Sequence, residues 1–214
     1  MVETATRTVV FIEPIGRRLC LEFANTRHNF GAESSRDDLK SYADLVLWSQ
    51  QAGIVNSRET EQLLRESRRC TKESAVVLTR ALALRDAIHR IFSAIASERS
   101  PAVSDLDILN DTLSKALKHS PIVSTAEGFA WGWDNRENAL DWMLGPVARS
   151  AAELLTSEHL HRVRECGGES CTWVFLDMSR NQSRHWCDMK SCGNRAKARR
   201  HYERTRQRRK KQNQ

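Results

Sequence analysis

Four cysteines carry the clearest chemistry in the chain. Cys166 and Cys171 are separated by four residues, as are Cys187 and Cys192, and fifteen residues lie between the pairs. Two short-spaced pairs joined by a bridge of that length form a zinc-ligand pattern. Each pair must curl until two sulfurs face one point about 2.3 Å away. Gly167 and Gly168 stand where such a turn needs unusual backbone angles. A redox dithiol would use a two-residue gap, and scattered buried thiols would not pair so regularly. Four thiolates close the coordination sphere. The expectation is therefore one structural Zn2+, no catalytic residue and no enzyme activity. His185 offers an alternative ligand, but it lies only two residues before Cys187, an awkward bite. Cys20 and Cys70 lack a short-spaced partner and read as ordinary buried thiols.

The elements around the cysteines must bring the two pairs together. Trp173 to Leu176 favour a strand, Asp177 to Arg184 are turn-like, and His185-Trp186 returns toward the second pair. From Asp188 the chain reads as a helix, with Asp188 as its cap. Cys192 then falls in an early turn, where the positive helix end favours a thiolate. Knuckle, hairpin and helix in that order describe a treble-clef-like finger. It has about 45 residues, too few to fold on apolar burial alone. Trp173, Phe175 and Trp186 are its candidate core.

Upstream, the 214 residues hold 40% hydrophobic and 29% charged side chains, enough for a packed core. The pattern predicts an α+β, mostly α fold: a helical N-terminal body with a small β-hairpin, then the finger. Asp37 or Asp38 can cap a helix through Leu39, Tyr42, Leu45 and Trp48. Ser57 can cap the next and Thr71 can open a long one before Pro101. Ser104 can open another through Leu106, Leu109, Leu113 and Leu117, and a last one uses Leu140 to Leu155, kinked or divided at Gly145-Pro146. Between them Ile122, Ser124 and Ala126, then Phe129, Trp131 and Trp133, alternate around Glu127-Gly128, a hairpin signal. Arg18 to Thr26 reads equally as strand or helix start. The resulting division is a helical body over 1–158, a zinc finger over 159–204 and a flexible basic extension over 205–214.

Charge follows the same division. Formal net charge is +7, yet residues 161–214 alone hold 15 Lys/Arg against 5 Asp/Glu. From Arg195 to Lys211 there are ten Lys/Arg and one acid, Glu203. A solvated helix would interleave acids for i,i+4 pairing, so this stretch reads as a binder of polyanions. Candidate nucleic-acid contacts are Arg180, Arg184, Arg195, Lys197, Arg199, Arg200 and Arg204. Alternatively Arg195 braces the knuckle, and Arg180 and Arg184 pair with Asp177 or Asp188. DNA is the first expectation. An RNA or ribosome binder and a zinc-stabilised protein-interaction module are the alternatives, and a homodimer would enlarge a small footprint. A speculative small-molecule effector site in the body uses Asn25, Thr26, Arg27 and Trp131. The simpler reading of these residues is core aromatics and a helix or turn capped by Asn25. No run of 18 apolar residues exists to span a membrane, and no secretory leader is evident, so the cytoplasm is expected.

A family likeness sits on top of these readings. Cys192-Gly193-Asn194-Arg195 is the signature of the CGNR zinc finger family. Phe175-Leu176-Asp177, Ser179-Arg180-Asn181, Ser183-Arg184, Trp186-Cys187 and Ala196-Lys197-Ala198-Arg199-Arg200 resemble that family throughout. Leu21-Glu22-Phe23-Ala24-Asn25-Thr26 resembles the opening of the ABATE domain, which usually precedes this finger. The resemblance implies a stress-induced bacterial transcription regulator with a structural zinc on all four cysteines.

Overall fold

The computed structural model describes residues 18–31, 35–126, 128–132 and 139–212, with side chains through residue 206. The body is built around one long helix. Helix α4 (Thr71–Ala96) has 26 residues and buries Val77, Ala81, Leu84, Ile88 and Ile91 along one stripe. Around it pack α1 (Leu19–Ala24), α2 (Tyr42–Gln51), α3 (Ser57–Arg69), α5 (Val103–Leu117) and α6 (Leu144–Leu155). Among the described residues the strands form three separate antiparallel pairs. These are β1 (Arg27–His28) with β2 (Arg36–Asp37), β3 (Ile122–Thr125) with β4 (Gly128–Trp131), and β5 (Val163–Glu165) with β6 (Val174–Leu176).

The helix boundaries show which local choices won. Arg18 to Thr26 resolves as helix through Ala24, with Thr26 Oγ1 donating back to the Phe23 carbonyl at 2.7 Å. Helix α2 is capped by Ser41, with Asp44 completing a capping box, and α3 by Asn56 with Glu59. Asp37 and Ser57 are therefore not the caps that the sequence suggested. Helix α5 starts at Val103 without a side-chain cap, leaving Ser104 inside it. Gly145-Pro146 lies in the first turn of α6, where proline's missing N–H costs nothing, so no kink forms. The β3–β4 hairpin matches expectation, with Gly128 at φ +124°, a value only glycine adopts freely. Trp133, the last residue of its predicted alternation, lies outside the described residues.

Asp37 is drawn away from capping by Arg85. That arginine is 1% exposed in the middle of α4. Its Nη1 and Nη2 reach the two Asp37 oxygens at 2.6 and 2.8 Å, and its Nε reaches Asp86 at 3.0 Å. Asp86 also takes Arg27 at 2.8 Å. Partial burial raises the Asp37 pKa, but the Arg85 hydrogen bonds outweigh it and hold the carboxyl below its usual range. This network pins the β1–β2 strap to α4. Arg85→Leu strands Asp37 without its cation, and a loss of about 3 kcal/mol in urea unfolding is expected. Because the folded carboxyl titrates low, the pair's contribution is full above about pH 4 and disappears as pH falls through the folded value.

Strand pair β5–β6 joins the finger to the body. Val163, Val174 and Leu176 belong to the main hydrophobic core, while Phe175 points the other way into the cysteine cluster. Beyond Asp188 a π-helical turn (Met189–Gly193) leads into α7 (Asn194–Gln212). Helix α7 continues to Gln212, into the positions 205–214 that the sequence suggested as a flexible extension. Nothing from Asn194 to Gln212 is glycine or proline, so no residue there stops it.

Candidate metal centre

Cys166, Cys171, Cys187 and Cys192 converge, with all four sulfurs within 4.8 Å of one another. Cys171 and Cys187 sulfurs are 3.7 Å apart, and Cys187 and Cys192 are 3.6 Å apart. A tetrahedron with metal–sulfur bonds of 2.3 Å has edges of about 3.8 Å, so the cluster fits zinc. Gly168 closes the cradle: a Cβ there would lie 3.1 Å from the Cys171 Cβ and 3.5 Å from the sulfurs of Cys166 and Cys192. Neither Gly167 nor Gly168 has positive φ, so space rather than an unusual backbone angle requires glycine at Gly168. His185 is outside the cluster and contributes its backbone carbonyl to Gly167 N–H at 2.8 Å.

The scaffold differs from the expected hairpin between the pairs. The first pair sits at the tip of β5–β6, because β6 pairs backward with β5. Among the described residues no strand returns at His185-Trp186. Instead Asp177, fully buried, gathers the following turn through Ser179 N–H and Arg184 N–H, both at 2.9 Å. Burial raises its pKa, but these hydrogen bonds prevail and keep it an anion. Arg184 then donates to the carbonyls of Trp186 and Cys187 and stacks over Phe175. Asp188 caps the π-helical turn by accepting from Ser191 N–H at 2.8 Å, which presents Cys192 as the sequence implied.

Crowded sulfurs share their protons. The Cys187 hydrogen bond holds the Cys171 thiol down at about 5, and supplying that proton pushes the Cys187 thiol up. A dication in the centre replaces the shared protons and lets all four sulfurs ionise. Outer contacts favour that state. Arg195 reaches the Cys192 sulfur at 3.1 Å, and Cys187 N–H reaches the Cys166 sulfur at 3.3 Å.

Two family profiles match this arrangement. One, the ABATE profile described as "putative stress-induced transcription regulator", covers residues 17–158. The chain belongs to the ABATE family. The second, the CGNR zinc finger, covers residues 162–205 and so takes in all four sulfurs. The CGNR finger thus holds one structural zinc through Cys166, Cys171, Cys187 and Cys192. A comparison with curated proteins finds no match.

The seven basic residues read as nucleic-acid contacts fall into two groups. Arg184 and Arg195 brace the second knuckle. Arg199 is held by Glu169 and by Glu203, tying α7 to the first knuckle. Arg180, Lys197, Arg200 and Arg204 are exposed, with no hydrogen-bond or ion-pair partner among the described residues. In the ABATE body, the four residues considered for an effector have other work. Asn25 is the C-cap of α1 and bonds Val174, Thr26 donates to the Phe23 carbonyl, Arg27 pairs with Asp86, and Trp131 lies under Arg149 at 4.8 Å. A cavity of about 250 Å3 in the body lies elsewhere, between Arg80, Lys115, His119 and Trp142. Among the described residues no helix is long and apolar enough to cross a membrane.

Proposed function

We propose that this ABATE protein is a DNA-binding transcription regulator whose CGNR finger makes the contact. The observation that carries this is the outward face of α7. Lys197, Arg200 and Arg204 recur at three and four residues, so they share one side of the helix, and none is neutralised by an acid. The opposite side is spent on the finger itself through Arg195 and Arg199. Zinc fixes where α7 begins, and the unpaired face supplies phosphate contacts. Four closed thiolates leave the ion no open position, so the reading is of a binder and not an enzyme. The ABATE body, acidic where the finger is basic, is read as the part that receives a signal.

Trp173, Phe175 and Trp186 pack against the cysteines and are partly or fully buried, so they make poor stacking platforms for single-stranded RNA. The test is a titration of duplex DNA with zinc-loaded protein across salt concentrations. With Arg180, Lys197, Arg200 and Arg204 each on a phosphate, log K against log salt should fall with a slope of about −4. A flat profile, or structured RNA outcompeting the duplex, would overturn the reading.

A further inference from the structure

The two halves of the zinc site are held by different parts of the chain. The loop bearing Cys166 and Cys171 is gripped at both ends by the ABATE body. Before Cys166, Ser93 on α4 donates to the Glu165 carboxylate at 2.6 Å. Directly after Cys171, the Thr172 carbonyl accepts from His89 Nε2 at 2.8 Å, and its hydroxyl accepts from Phe30 N–H at 2.8 Å. The Phe30 ring lies flat on the His89 ring, 4.3 Å between centroids. Two residues on, the Asn25 side chain donates to the Val174 carbonyl at 2.8 Å and accepts from Val174 N–H at 3.0 Å.

That last pair has a specific meaning. Exchanging both an N–H and a C=O bond with one residue is what a neighbouring antiparallel strand does. Strand β6 is paired with β5 on one side, and Asn25 stands in for a third strand on the other. The strap that presents Phe30 is itself anchored by Arg85, Asp37, Asp86 and Arg27.

The half bearing Cys187 and Cys192 has no such support. Among the described residues no hydrogen bond or ion pair joins residues 178–206 to the body. Their bonds run within the finger, through Asp177, Arg184, Asp188, Arg195 and Arg199.

We propose that the ABATE body is the template for the first half of the zinc site. Asn25, with Phe30 and His89, is a positioning residue that presets the Cys166–Cys171 loop before the metal arrives. Zinc then captures Cys187 and Cys192 and, with them, locks the basic helix α7 onto the body. Metal affinity therefore depends on residues 83 to 149 positions away from their partners in the sequence, and by linkage zinc stabilises the body as well as the finger.

The test uses the full chain and a chromogenic zinc chelator as competitor, with circular dichroism showing that each variant is folded. Asn25→Ala removes the strand surrogate, and the milder Thr172→Val removes only the hydroxyl that accepts from Phe30. Each should raise the zinc dissociation constant, Asn25→Ala by about tenfold, as outer-sphere changes do. Leu63→Ala, in the core contributed by α3, should lower the melting temperature and leave zinc affinity unchanged. Wild-type zinc affinity in both interface variants would overturn the proposal. So would an equal loss of zinc affinity in Leu63→Ala, since that would trace the effect to general destabilisation.

Discussion

Cys192→Ser is expected to abolish zinc retention and to melt the second half of the finger while the first half stays folded. The sulfur it removes is buried and accepts from Arg195, so the loss is both a ligand and the partner of a cation. Structural zinc contributes on the order of 10 kcal/mol in finger peptides at neutral pH, far more than the few aromatic contacts around these cysteines can replace. The apolar residues that could compensate are committed elsewhere: Val163, Val174 and Leu176 lie in the body core. Hydrogen exchange after metal removal should therefore show lost protection over 178–206 and retained protection in β5 and β6. Metal analysis should show zinc falling from one per chain to none. Uniform loss of protection across β5, β6 and the body would show that the finger's two halves are not held separately.

That asymmetry was only partly legible in the sequence. The ligands were, because coordination forces short-spaced pairs, and so were Asp188 as a cap and the β3–β4 hairpin. The run Trp173-Val174-Phe175-Leu176 also held a signal that strand propensity alone does not use. An uninterrupted apolar run marks a strand covered on both faces, and β6 is one, with Val174 and Leu176 toward the body and Phe175 toward the cysteines. Asn25 could not be read, since its partner lies 149 residues away and an Asn after a helix is usually a cap. Arg85 was hidden for the same kind of reason. One arginine on a long helix looks solvent-facing until tertiary packing brings Asp37 to it. The basic stretch showed its charge in the sequence but not which charges were already spent.

Lys197→Glu, Arg200→Glu and Arg204→Glu together should abolish duplex DNA binding, whereas Arg199→Ala should weaken it little. All four side chains lie on one basic helix, so net charge alone would predict comparable effects per residue. Geometry separates them. Arg199 sits between Glu169 and Glu203 and offers a phosphate little uncompensated charge. The other three are exposed and unpartnered on the far side, and each should contribute about one to the salt slope. Reversing them removes three attractions and sets three carboxylates against the phosphates. The slope should shrink by about 3, and affinity at low salt should collapse with it. Zinc content should stay at one per chain, because among the described residues none of the three makes a hydrogen bond or ion pair to the cysteines or their outer contacts. If the triple variant binds as the parent does, α7 is not the contact surface. If it binds no DNA but has also lost its zinc, the face assignment is wrong, because these side chains would then be bracing the finger.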